Sequence, residues 1–192
     1  MNLPNKLTVA RIALVPFFVA ALLIDFPMHH LAALALFGAA SLTDLFDGKI
    51  ARKRGLVTDF GKFADPLADK ILVVSALLCF VQLGLCDCVA VIIVLFREFT
   101  VTSIRLIAAS KGKVIAANIF GKMKTVMQMV AIITVLVLHS ALDLRRFGLA
   151  LPCSLDGVFY LIGEGLIWIS TVMTMISGVV YVFQNRRFIS EK

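Results

Sequence analysis

Charged side chains are scarce in this sequence. They make up 16 % of its 192 residues, against roughly a quarter in soluble domains, and that shortage excludes a soluble globular chain. Cysteine is limited to four residues and histidine to three. Cys79 reads as core. Cys86, Cys88 and Cys153 fall near one face, where a disulfide is open to them but not indicated by their spacing, and Cys86-Asp87-Cys88 lacks the second ligand pair of a zinc site. His29, His30 and His139 read as solvated interfacial residues. No fixed-period repeat or low-complexity tract is present, and proline and glycine fall mostly at the ends of apolar runs, so one compact helical domain over 1–192 is expected. No small-x-small cleavage site precedes Asp25, so the first apolar run reads as retained rather than as a signal peptide.

What the chain has in abundance is hydrophobicity: 60 % of its residues are apolar and the mean hydropathy is +0.98. A bilayer core needs roughly 20 apolar helical residues per crossing. Candidate spans lie near 11–24, 31–45, 63–84, 89–109, 126–139 and 158–183. The expected fold is an all-α polytopic membrane protein of six transmembrane helices, with an interfacial segment around Asn5 and Thr8 before the first. The 19 Lys and Arg residues fall almost entirely in alternate loops: 49–54 and Lys62, 111–124, and both termini. The intervening loops hold Arg145 and Arg146. Positive charge marks cytoplasmic loops, so both termini are expected to be cytoplasmic. The net charge of +7 is then accounted for by topology and anionic lipid, and no nucleic-acid partner is implied.

Against this background one stretch is anomalous. DLFDGKIARKRGLVTDFGKFADPLADK, residues 44–70, holds five aspartates. Asp44 and Asp47 are three apart and Asp65 and Asp69 four apart, so on helices each pair projects from one face. Gly48 and Ala51 lie within about 40° of Asp44 around a helix and leave that face without bulk. Pro66 reads as part of a first helical turn, with Asp65 near the helix start. Four carboxylates converging at a membrane interface need cations, and oxygen-only donors favour Mg²⁺, Mn²⁺ or Ca²⁺ over zinc. Asp59, off this spacing, reads as a helix cap or a salt-bridge partner.

The pattern Asp44-x2-Asp47-Gly48-x2-Ala51-Arg52-x8-Gly61-x3-Asp65-x3-Asp69 resembles the complete signature of the CDP-alcohol phosphatidyltransferase family. That resemblance implies a six-helix membrane transferase, usually dimeric, that moves a phosphoryl-alcohol unit from a CDP-linked donor to an alcohol. It implies that Asp44, Asp47, Asp65 and Asp69 hold two divalent ions, Mg²⁺ or Mn²⁺, with Asp69 also the base. Asp47, Gly48, Ala51, Arg52 and Gly61 would contact the CDP portion. Asn5 and Thr8 would close over the nucleotide from the N-terminal segment, although helix capping also accounts for them.

The stretches NLPNKLTVARIALVPFF, REFTVTSIR, GKMKTVMQMVAI and STVMTMISG extend the similarity toward bacterial members of the family that use glycerol 3-phosphate. They imply CDP-diacylglycerol as donor, CMP as leaving product and the bacterial inner membrane as location. An anionic acceptor suits Arg97 and Arg105, eight residues apart and so about 12 Å along one helix, and Lys122 and Lys124 at the start of the fifth span. Pairing of Arg97 with Glu98, snorkelling of Arg105 and positive-inside anchoring of the lysines are the structural alternatives. Ser170, Thr174 and Gly178, spaced by four, read as close helix packing. Other acceptors within the family (serine, an inositol phosphate, phosphatidylglycerol), a membrane prenyltransferase and a divalent-cation transporter are the rival functions.

Overall fold

The computed structural model describes residues 3–54, 59–112, 119–147, 152 and 155–186. Six α-helices account for nearly all of them: α1 Leu3–Leu23, α2 His29–Arg54, α3 Asp59–Gln82, α4 Cys88–Ser110, α5 Ile119–Asp143 and α6 Leu155–Gln184, with a 3-10 turn Leu144–Phe147 after α5. Among the described residues there is no strand, as expected where an apolar solvent forces each backbone group to bond within its own segment. Among the described residues, three stretches are long and apolar enough to cross a membrane: Asn5–Leu23, Ile119–Asp143 and Leu155–Gln184. His29–Thr43 and Lys70–Gln82 are shorter apolar helices, and α4 is interrupted by Arg97, Glu98 and Arg105.

Two local expectations change. α1 is continuous from Leu3, with Pro16 inside it, so no separate N-terminal segment precedes the first long helix. Asn5, Thr8 and Arg11 recur every three residues and are all buried, so this turn packs against protein. α3 begins at Asp59, so Pro66 lies in its eighth position instead of its first turn. Proline there removes one backbone bond, to the carbonyl of Lys62, a loss that membrane helices tolerate.

α2 folds back along α1 after the short turn 24–28. Phe18 of α1 stacks on Phe37 of α2 at 5.6 Å between ring centroids. Lys124 of α5 meets Glu98 of α4, and Asp143 of α5 meets His30 of α2. The core runs through Phe18, Leu22, Phe37, Phe80, Ile132 and Leu136. Large apolar residues elsewhere point outward, with Phe96, Phe99 and Leu161 each about two-thirds or more exposed; that inversion suits a lipid surround. α5 packs most extensively on α6, where a Cβ on Gly163 would sit 3.0 Å from the Val135 side chain.

The turns explain the helix ends. After α3, Gly84 at φ +70° allows Leu85 N–H to donate to Phe80 O and its own N–H to donate to Val81 O, a Schellman closure that needs the left-handed residue. Asp87 then caps α4, accepting from Val89 N–H at 2.8 Å. Asp143 performs the same service across the fold, accepting from His30 N–H at 3.1 Å. The expectation of solvated histidines is thereby corrected: His29 is buried and His30 pairs with a carboxylate, because α5 ends over the start of α2.

The described cysteines, Cys79, Cys86 and Cys88, are free. Burial, reinforced by the nearby charges of Glu164, Asp87 and Cys88, pushes the Cys86 thiol up to about 12, while Cys88 two residues on is exposed. Only the thiolate attacks a maleimide. In purified single-thiol chains at about pH 8, Cys88 should therefore label at least about tenfold faster than Cys86; equal rates would contradict the burial of Cys86.

Candidate active site

The helices bring four sequence-predicted cations to one place. A cavity of about 450 Å³ opens between α3, α4 and α5, and its walls include Arg97, Arg105, Lys122 and Lys124 together with Lys70 and Glu98. The eight-residue spacing of the arginines places both on the cavity side of α4. The i, i+2 lysines diverge: Lys124 is buried while Lys122 is exposed.

Glu98 organises this group. Its Oε1 accepts from Arg97 Nη1 at 2.8 Å and from Lys124 Nζ at 2.5 Å, and its Oε2 lies 3.9 Å from Lys70 Nζ. Lys70 also donates to the Thr102 hydroxyl. Three cations surround one carboxylate whose side chain is 15 % exposed. Pairing of Arg97 with Glu98, the structural alternative raised above, is thus realised, and the pair still lines the cavity.

α6 supports the same arginines from behind. Arg97 Nη2 donates to Ser177 Oγ at 2.7 Å, and a Cβ on Gly178 would fall 2.7 Å from Arg97 Cγ, so the glycine makes room for the arginine stem. Arg105 Nε donates to the Tyr181 hydroxyl at 3.3 Å, with its guanidinium carbon 5.6 Å from that ring's centroid. Ser170, Thr174 and Gly178 are all buried on α6. Glu98 as an organiser, Lys70, Ser177 and Tyr181 were not singled out by sequence, because only the fold sets them beside the arginines.

The side chains of Asp44, Asp47, Gly48, Ala51, Arg52, Gly61, Asp65 and Asp69 lie outside the described side chains, but their helices are placed. Counting ten residues from the Phe18–Phe37 contact toward the start of α1 and the end of α2 reaches Thr8 and Asp47. The buried Asn5–Thr8 turn and the signature of α2 therefore share one level of the bundle. Asp69 precedes Lys70, a wall of the cationic cavity, so the backbone of the signature leads directly into that cavity.

Residues 1–176 match the profile of the CDP-alcohol phosphatidyltransferase family. The chain is 43 % identical to the CDP-diacylglycerol–glycerol-3-phosphate 3-phosphatidyltransferase of Bacillus subtilis (strain 168), over 96 % of this chain and 95 % of that one. It is 37 % identical to the protein of the same name from Rickettsia bellii, over 94 % and 93 %. It is 38 % identical to a probable phosphatidylglycerophosphate synthase of Mycobacterium tuberculosis, over 97 % and 82 %. With the full aspartate signature on α2 and α3 and a profile match across nearly the whole length, the chain belongs to the CDP-alcohol phosphatidyltransferase family.

Proposed function

We propose that this protein transfers the phosphatidyl group of CDP-diacylglycerol to glycerol 3-phosphate, releasing CMP and phosphatidylglycerophosphate. The observation that carries the reading is the convergence of Arg97, Arg105, Lys122 and Lys124 on one cavity that starts a single residue beyond Asp69. Such a cavity suits a small dianionic acceptor better than serine, which carries no phosphate.

Asp44, Asp47, Asp65 and Asp69 offer oxygen donors only, which fits two hard divalent ions such as Mg²⁺ or Mn²⁺. When bound, these ions supply charge neutralisation for the diphosphate. The chain's own residues do the rest. Asn5, Thr8, Asp47, Gly48, Ala51, Arg52 and Gly61 hold the CDP portion, with Arg52 toward the diphosphate. The exposed Lys122 and Arg105 receive the acceptor phosphate, while Glu98 fixes Arg97 and Lys124 beside it. Asp69 takes the proton of the acceptor hydroxyl as its oxygen bonds to the phosphatidyl phosphorus and the bond to CMP breaks. The acyl chains remain in lipid. All six helices cross the bacterial inner membrane as one domain, with both termini and the site cytoplasmic, in keeping with the positive loops; the family resemblance supports a homodimer.

Purified protein assayed with CDP-diacylglycerol and Mg²⁺ against glycerol 3-phosphate, serine, inositol phosphate and phosphatidylglycerol tests this reading. CMP release with glycerol 3-phosphate alone is expected, and turnover with serine instead would overturn it. Gly178→Ala should push Arg97 off its Ser177 contact and lower kcat/KM for glycerol 3-phosphate about tenfold, since misplacing a binding group by an ångström is costly. An unchanged kcat/KM would show that the position of Arg97 is immaterial.

A further inference from the structure

A second group of ligating side chains sits at the other end of the bundle. Asp143 is nineteen residues beyond Lys124 on α5, about 28 Å along the helix, so it belongs to neither the cationic cavity nor the aspartate signature. There His30 Nδ1 lies 3.1 Å from both oxygens of Asp143 and His29 Nε2 lies 3.9 Å from Oδ1. One ligand atom from each of the three residues falls within 4.8 Å of the others. The side chains are almost closed to solvent, at 10 % exposure for His29, 13 % for His30 and 7 % for Asp143. Two features are poorly explained by hydrogen bonding alone. The imidazoles of His29 and His30 stand 3.9 Å apart between centroids while converging on one carboxylate, and the buried Nδ1 of His29 has no hydrogen-bond partner. A third ring, His139, is 5.4 Å from His30; its Nδ1–H donates to Val135 O at 2.9 Å, which leaves the Nε2 lone pair toward other uses.

We propose that His29, His30 and Asp143 form a structural site for a borderline transition-metal cation of the Zn²⁺ class, which pins the start of α2 to the end of α5. Two imidazole nitrogens and one carboxylate oxygen make the mixed N/O set that such ions prefer, unlike the all-oxygen set of the signature aspartates. On binding, the N–H of the neutral His30 ring moves from Nδ1 to Nε2, so the Nδ1 lone pair meets the ion and the hydrogen bond to Asp143 is replaced by coordination of both partners. The fourth position is left for water or His139.

The test uses tag-free, full-length protein stripped by a chelator, with Co²⁺ as a visible probe. The expected result is an intense tetrahedral-type absorption that saturates at about one Co²⁺ per chain, is displaced by Zn²⁺, and is accompanied by a higher unfolding temperature on Zn²⁺ addition. The band should persist in Asp44→Asn/Asp65→Asn and disappear in His29→Ala and in Asp143→Asn, the last of which keeps an acceptor for His30 N–H. Absence of the band in the unsubstituted protein, its survival in both of those variants, or its loss in the Asp44/Asp65 variant would each overturn the proposal. The first of these outcomes needs no variant to fold.

Discussion

Asp44→Asn and Asp65→Asn should each lower CMP release by about a thousandfold or more, the scale on which removing a preorganised electrostatic group acts. Asp59→Asn should keep most of the activity. The contrast follows from placement. Asp44 and Asp47 belong to the second half of α2 and Asp65 and Asp69 to the first half of α3, each pair at one-turn spacing. Asp59 is the first residue of α3, two turns away, where a carboxylate favours the helix start. Asparagine preserves size and hydrogen bonding, so the loss would report charge and ligation rather than packing. Turnover by purified variants with CDP-diacylglycerol and glycerol 3-phosphate decides it. Equal losses at all three positions would contradict the sorting of the acids.

Glu98→Gln should produce the second large effect, this time on stability as well as turnover. Glutamine keeps the shape but leaves Arg97, Lys124 and Lys70 facing one another without their shared counter-charge. Breaking a buried ion pair from one side costs about 3 kcal/mol, and here one acid serves two close cations at 2.8 and 2.5 Å. The unfolding temperature should fall clearly. The KM for glycerol 3-phosphate should rise about tenfold, because the cations proposed to receive its phosphate separate, while the KM for CDP-diacylglycerol changes little. A Glu98→Gln protein as stable as the parent would mean that the three cations are held by other partners.

The parts of this account that sequence made legible are those carried by local spacing. The aspartate signature is compact enough to read from 26 consecutive residues, and the apolar runs mark α4 and α6 to within three residues, while α1, α2 and α5 each extend well beyond the runs at one end. α2 continues past the apolar run that ends near residue 45 and carries the signature on to Arg54. Contacts between distant residues were not legible. The solvated reading of His29 and His30 failed because their partner, Asp143, is 113 residues away. Gly178 read as generic close packing, since nothing local says that the group it admits is Arg97. The continuity of α1 depends on burying Asn5, Thr8 and Arg11, a property of its neighbours α2 and α3 rather than of its own residues. Arg97 could be read as binding or as pairing, and the fold lets it line the cavity while paired.

The claim on which the rest depends is that the facing ends of α2 and α3 hold a pair of adjacent divalent ions, and electron paramagnetic resonance of Mn²⁺ bound to the purified protein with CDP-diacylglycerol tests it most directly. Two ions about 4 Å apart should give the spectrum of a coupled pair at two equivalents, collapsing to isolated ions in Asp44→Asn. A spectrum of isolated Mn²⁺ in the unsubstituted protein at every loading would contradict it.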